Sequence, residues 1–545
     1  MRPLAALLPL ALAAAAHAQT LGRIAAVDVL GPVDSDVPVF VEVDGVAYFS
    51  SLDRAAFTRR LWRTDGTPGG TAEVSADVQP LRRAVAYRGE LYFEGRASTG
   101  APARLYRTTA AGGVELWGGA EGVEGLAVAD GALFFSAETD AEGREPYRGD
   151  DADVGLLADV CPGAGSSDPR GFAAPEGVAL FSASDCGTTY GRELWKAAAA
   201  TAEIAADIEP GPASSNPGRV VEADGVVYVT ASGRDADGSR VGNELFAFDG
   251  VAATLVVDQN PGSASAQITF LGDVATGSLW NVLAAVGGRS GLTPHQLGGG
   301  AFVPLGLVGG STAATVCVPP ETCPTAEVWD GALFFVAAPA SPSRPRLYAA
   351  DGASLSEVAR PPGVDRLSLP TRYDGGLAMQ GCDEAETACA LYHLDARGAT
   401  PALVAELPAG TVALALQAFG GGLLIRLQND DPSTAGFFES ELWGLGLAGG
   451  TAAERAPDGP ALELAAFPSP AAGPVTVAWE QPEAGAARVS VLDALGREVA
   501  VVAEGARGAG AQRAAWDPTG RAAGVYRVRV AAGGAVATRA VVVAR

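Results

Sequence analysis

Asp130-Gly131-Ala132-Leu133-Phe134-Phe135-Ser136-Ala137 reads as a tight turn feeding a strand that stays apolar without alternation. Asp-Gly suits a two-residue hairpin turn, because both residues tolerate positive φ. The run behind it lacks the in-out pattern of a sheet with one wet face, so both faces need covering. Close copies follow the same plan: DGVAYFS from Asp44, RGELYFEG from Arg88, EGVALFSA from Glu176, DGVVYVTA from Asp224 and DGALFFVA from Asp330. Their glycines, Gly45, Gly89, Gly131, Gly177, Gly225 and Gly331, are joined by a weak Gly277 and by Gly375 and Gly421, at steps of 42 to 54 residues.

Each unit carries more than one strand. A second follows the marker, as in RRLWRTDGTPGGT from Arg59, RELWKA from Arg192, NELFAFDG from Asn243 and ELWGLG from Glu441. A third follows, such as AEIAADI or ATLVVDQ, and a fourth, such as GRVVEA, leads into the next turn. Four short strands in about 46 residues make one β-propeller blade. A lone sheet of this kind cannot bury two apolar faces, whereas radial stacking covers both. Nine markers predict eight or nine blades, with the unit around Gly277 as the irregular one, and Gly22–Leu30 is expected to pair with the last unit and close the ring.

Composition agrees. Gly 71 and Pro 36 coexist with 48% hydrophobic residues, which fits many short strands and turns rather than disorder. With 63 acidic and 38 basic residues the net charge is -25, and Lys196 is the only lysine, so the chain would repel nucleic acid. The N-terminus, with Arg2, an apolar run from Leu4 to Ala16 and the small-residue motif Ala16-His17-Ala18, reads as a signal peptide over residues 1–18. No later stretch offers about 20 uninterrupted apolar residues, so the exported chain is expected not to be transmembrane.

Export makes the six cysteines disulfide candidates, and six allow 15 connectivities. Cys317 with Cys323 and Cys382 with Cys389 would be local closures. Cys161 lies in a repeated connecting loop, CPGAGSSDP, that recurs as EPGPASSNP from Glu209 and NPGSASAQ from Asn260. Strand direction alternates along a blade, which puts these loops and those preceding the ELW strands on one face. Cys186 lies in the second kind of loop, so its pairing with Cys161 is geometrically open.

The stretch Leu61–Thr71, LWRTDGTPGGT, together with Glu193-Leu194-Trp195 and Glu441-Leu442-Trp443, resembles the ELWxxDGT repeat of bacterial secreted proteins. The Asp-Gly-Thr portion has decayed outside the first copy. The resemblance spans roughly residues 40 to 455 and implies architecture rather than an activity.

Beyond about Phe467 the beat stops. Alternating apolar runs at Val475–Trp479, Arg488–Leu492, Val525–Val530 and Ala537–Val543 suggest a small β-sandwich. Phe467-Pro468-Ser469-Pro470, Leu495-Gly496-Arg497, Gly524-Val525-Tyr526 and the basic-ended Val541–Arg545 together resemble the type IX secretion C-terminal sorting domain, with Ser469 where the family usually has Asn. That resemblance implies the type IX machinery as a partner and a location either secreted or attached to the outer-membrane surface. The expected layout is an all-β chain: signal peptide 1–18, β-propeller 19–456, linker 457–466 and sorting domain 467–545.

Chemistry is sparse. Only His17, His295 and His393 are present, and no GxSxG elbow accompanies the last two, so a histidine-based triad or metal cluster is not expected. The best metal hint is GRDADGSRVGNE, where Asp235, Asp237 and Glu244 offer oxygens around Gly238 in the manner of a calcium loop, although turn chemistry explains Asp-Gly equally well. Otherwise no cofactor is expected. Three functions remain: a non-catalytic surface propeller that binds polysaccharide or protein, a secreted propeller enzyme such as a glycosidase or lyase, and a passive surface scaffold.

Overall fold

The structure, a computed structural model, describes residues 21–447 and 464–543 apart from shorter stretches, of which 31–38, 305–314, 317–325, 339–345 and 430–438 are the longest. The signal peptide and the Cys317/Cys323 pair lie outside the described residues.

Nine antiparallel sheets follow one another along residues 21–447 among the described residues. The third is representative: Glu121–Ala129, Ala132–Thr139, Gly143–Gly149 and Val154–Leu156, paired in that order. The first strand of each sheet lies against the first strand of the next, from Val41–Val43 through Gln79–Tyr87 to Thr411–Phe419, which is radial stacking. The turns form as read. Asp44, Arg88, Asp130, Asp330 and Asp374 have φ of 44 to 52°, and the glycine after each has φ of 68 to 77°, the type I′ signature. Ala132 through Ala137 are all at most 4% exposed, so the non-alternating run is indeed covered on both faces.

The ring closes through the N-terminus. Leu21–Ala25 pairs with Glu439–Leu445 as the outer strand of the ninth blade, with Leu21 opposite Leu445 and Arg23 opposite Trp443. Phe419 of the ninth blade shares a core cluster with Phe40 and Phe49 of the first, and Gln417 Nε2 donates to Phe40 O at 3.1 Å.

Two expectations need correction. The Gly277 unit is a regular four-stranded sheet running from Ile268 to Pro304. The irregular blade is the next, where Thr315–Val316 and Glu327–Trp329 share the inner position and both pair with Ala332–Ala338. The 54-residue step into Gly331 is the longest of the series.

The C-terminal unit has one sheet of Leu464–Phe467, Val475–Gln481 and Gly510–Trp516 and a second ordered Glu498–Arg507, Gly485–Leu492, Gly524–Ala532, Ala535–Val543. Here the pattern does alternate: Val475, Val477 and Trp479 face Val489, Val491, Val528 and Val530 across a shared core, as expected where each sheet has one wet face. Because Leu464–Phe467 pairs with Thr476–Trp479, the sandwich starts at 464, and residues 464–466 belong to it rather than to a linker; residues 457–463 lie outside the described residues.

Candidate functional site

The connecting loops are held by a repeated device. In the third strands of blades three, four and five, Glu145, Glu193 and Glu244 are fully buried. Each carboxylate accepts N–H bonds from residues 15 and 22 positions downstream. Glu145 takes Val160 N at 3.0 Å and Ser167 N at 2.9 Å. Glu193 takes Ile208 N at 2.9 Å and Ser215 N at 2.7 Å. Glu244 takes Gln259 N at 3.0 Å and Ala266 N at 3.1 Å. Ser167 and Ser215 add their hydroxyls, at 2.6 and 2.5 Å, where Ala266 has none to give. Burial pushes the carboxyl of Glu193 up to about 7 in spite of Ser215, and raises Glu145 and Glu244 for the same reason. The constant spacing from the ELW-type glutamate to the Pro-Gly loop was a signal available in the sequence.

A second buried acid joins adjacent blades. Glu94, 2% exposed, accepts Gly125 N at 2.8 Å from the inner strand of the next blade, beside a register shift that frees that N–H. Burial pushes it up to about 7, with the Gly125 bond opposing. Strongly raised carboxyls usually point to catalysis. In Glu94, Glu145, Glu193 and Glu244 the charge is engaged by backbone N–H groups.

The calcium set is not brought together. Asp235 and Asp237 sit in the turn between Val226–Arg234 and Arg240–Phe248, where Asp235 Oδ1 accepts Asp237 N at 3.0 Å and Ser239 N at 2.8 Å. Glu244 is the inward loop anchor just described, and no group of three potential metal ligands occurs among the described residues. His295 is buried near Phe302, at 6.3 Å between rings, and His393 Nε2 lies 2.9 Å from Tyr373 O. Two disulfides form, Cys161 with Cys186 and Cys382 with Cys389, at Cα separations of 5.3 and 4.1 Å.

At the seam between the ninth and first blades lies a groove of about 490 Å³ lined by Asp28, Asp53, Arg60, Trp62, Glu73 and Glu441 among others. Arg60 occupies the position of the buried glutamates of blades three to five, as Arg104 does in blade two and Arg346 in blade seven: Leu61 pairs with Ser50 as Leu194 pairs with Ser182. Its guanidinium reaches Ala76 O at 2.7 Å and Asp53 at 3.1 Å. The connection to the next blade here is only residues 76–78, against 157–169, 207–219 and 258–267 after blades three to five. The long Pro-Gly loop that follows blades three to five is therefore missing here, as it is after blades two and eight, where residues 117–120 and 407–410 make the connection.

In the C-terminal sandwich, Phe467 lies in the first strand, Gly524 opens the strand Gly524–Ala532, and Tyr526 is buried against Trp516 at 5.2 Å. Pro468, Pro470 and Gly496 lie outside the described residues. Residues 465–544 match the family described as "Secretion system C-terminal sorting domain". A sorting domain of this family implies export by the type IX system and a secreted or cell-surface protein. No helix among the described residues is long and apolar enough to cross a membrane.

No curated protein matches the chain. Among solved structures, PorZ of Porphyromonas gingivalis is similar at 14% identity over 94% of this chain and 87% of its own, with a TM-score of 0.23. The β-propeller domain of the Trilobed protease from Pyrococcus furiosus is similar at 9% identity over 79% and 94%, TM-score 0.30. A GH43_1 enzyme from Xanthomonas citri is similar at 11% over 78% and 90%, TM-score 0.21. At such values nothing about activity passes from them to this chain.

Proposed function

We propose that the chain is a non-catalytic binding or adhesion protein of the bacterial surface, a β-propeller passenger of the ELWxxDGT type carried out by its sorting tail. The observation that supports this most is the engagement of the raised carboxyls. Glu94, Glu145, Glu193 and Glu244 each hold backbone N–H groups of a neighbouring blade or loop, which leaves them unfit as general acids facing a substrate. Glu145, Glu193 and Glu244 fix loops on one face, and a rigid loop array is a platform for recognition. The test is adhesion. Cells lacking the gene should bind host or matrix surfaces less, and purified full-length protein should restore or compete that binding. Release of reducing ends from a polysaccharide panel by the purified protein would overturn the non-catalytic reading.

A further inference from the structure

In blades one to eight the third strand turns back to make the outer strand of its own blade. The ninth blade takes its outer strand, Leu21–Ala25, from the other end of the chain, so Glu439–Leu445 has no strand of its own to turn into. It ends in a packing contact instead. Gly446, at a φ of 69°, bends the chain, and Leu447 packs on the cluster that Ile24, Phe40, Phe49 and Phe419 form across the seam. The exit from the ring thus meets the closing strand, the first blade and the last blade at one point.

The seat for Leu447 is carved out of two strands. A Cβ at Gly422 would lie 2.8 Å from Leu447 Cδ2, and closer still to Leu445 O, while one at Gly444 would lie 3.0 Å from Leu447 Cδ1 and 2.9 Å from Ile24 Cδ1. Such contacts are too short for a packed interior, so the leucine fits because both neighbours lack a side chain. At the position of Gly422 the first three blades carry Val46, Glu90 and Ala132, and at that of Gly444 they carry Arg63, Arg107 and Arg148. The notch therefore belongs to the last blade and not to the repeat.

The far wall is a turn of the first blade. A Cβ at Gly66 would lie 3.4 Å from both Leu447 methyl carbons. The turn is fixed by its own bonds: Thr64 Oγ1 accepts Gly66 N at 3.0 Å, Asp65 Oδ1 accepts Thr67 N at 2.9 Å, and Thr67 Oγ1 accepts Gly70 N at 3.0 Å. The one intact Asp-Gly-Thr copy, Asp65-Gly66-Thr67, thus stands where the chain leaves the ring.

We infer that Leu447 is a latch on the seam, and that it couples the two ends of the propeller. A five-residue strand at a chain end frays easily when it is held by one neighbour alone. Here Ile24 and Leu447 flank the same bare position at Gly444, so peeling Leu21–Ala25 uncovers Leu447, and unseating Leu447 uncovers Ile24. The ring stays shut as long as Leu447 is seated, whatever pulls on or removes the chain beyond it. This conformational device is independent of what the propeller binds.

Hydrogen exchange read by mass spectrometry on the full-length protein tests the latch. Leu447→Ala should speed exchange in Leu21–Ala25 and Glu439–Leu445 tenfold or more and leave Ala132–Thr139 of the third blade unchanged, whereas Leu447→Met should behave as the parent. Cutting a protease recognition sequence inserted after Arg455 should leave the seam as slow as before, because Leu447 stays in place. Exchange at Leu21–Ala25 indifferent to Leu447→Ala would overturn the latch, as would a seam loosened by the cut after Arg455. Equal acceleration in the third blade, or a Leu447→Ala protein that does not fold, would make Leu447 an ordinary core residue and overturn it as well.

Discussion

Glu209 stands in its connecting loop where Cys161 stands in the loop before, each one residue past the first N–H donor to a buried glutamate. Both reach the hairpin loop of the following blade. Cys161 does so through the disulfide to Cys186, and Glu209 through ion pairs with Arg234 at 2.6 Å and Arg240 at 3.1 Å. One position in the repeat thus crosslinks neighbouring blades on the same face, covalently at one junction and ionically at the next. The Glu209 carboxylate is only 4% exposed while both arginines remain partly wet, so the acid is shielded and its partners adapt around it.

The two crosslinks should therefore fail under different insults. Replacing Cys161 and Cys186 by Ser should cost about 3.5 kcal/mol by the loop-entropy argument for a separation of 25 residues, and reducing the protein should cost more, because it also opens Cys382–Cys389. Glu209→Gln should cost about 1–2 kcal/mol, as expected for loss of a charge-assisted bond, and be insensitive to reductant. Denaturant melts with and without dithiothreitol, on both variants, measure this. Equal sensitivity of Glu209→Gln and the parent to high salt would contradict an ionic crosslink.

Glu94 has a natural control in Gln380. Both follow the aromatic or apolar run of a second strand, pairing with Leu105 and Leu391 respectively, and both accept an N–H from the next blade, Gly125 or Ala413. Glu94 titrates near 7 when folded against a reference of 4.5. A raised carboxyl binds more protons in the folded than in the unfolded state, so its stabilisation is complete below pH 4.5 and is lost as pH rises through 7. Glu94→Gln should abolish this loss, on the order of 3 kcal/mol at full ionisation. The stability difference between pH 5 and pH 8 should shrink in the variant; an unchanged difference would mean that Glu94 ionises freely in the fold.

The repeat was legible because a blade covered on both faces leaves continuous apolar runs, such as Leu133-Phe134-Phe135, that stand out against flanking Asp-Gly turns. Ring closure was legible in part: of Gly22–Leu30, the residues up to Ala25 pair with the last unit, whereas Asp28–Leu30 bond to Ser50–Leu52 of the first blade. Two features were hidden. The division of the seventh inner strand depends on where surplus chain folds, and nothing local in Thr315–Val316 distinguishes it from Glu327–Trp329. Asp235, Asp237 and Glu244 looked like co-ligands because they are close in sequence, yet Asp235 spends its carboxylate on its own hairpin turn while Glu244 lies down the returning strand and faces its connecting loop. The groove at Arg60 was invisible because it arises from residues 26–28, 51–76 and 440–441 meeting only when the ring closes.

The loop anchors should grade by what each junction already lacks. Ala266 shows that the hydroxyl is dispensable, so Ser215→Ala should cost only about 1 kcal/mol. Glu193→Ala strips the acceptor from Ile208 N, leaves Ser215 N with Arg192 O alone at 3.1 Å and opens a cavity, which should cost about 3 kcal/mol. Limited proteolysis should cut the Glu193→Ala protein within residues 207–217 well before the parent. Protection equal to the parent would show that the backbone bond from Ser232 N to Ser215 O, at 2.8 Å, is enough to hold the loop.

The boundary of the sorting unit is testable by export. Leu464–Phe467 forms an edge strand on Val475–Gln481, with Leu464 opposite Trp479 and Phe467 opposite Thr476, and Leu464 and Ala466 pack on the sandwich core. A reporter fused to residues 464–545 carries the whole three-stranded sheet, whereas one fused to 471–545 leaves Val475–Gln481 as an exposed apolar edge and invites aggregation. In a host with a type IX system, the longer fusion should appear outside the cell and the shorter one should be retained in the periplasm or degraded. Trp516→Ala in the longer fusion removes the ring that packs on Tyr526 and should mimic the truncation through a core loss of about 3–5 kcal/mol. Export of the shorter fusion at the level of the longer would show that the machinery reads the later strands alone, and that Leu464–Phe467 serves folding and not recognition.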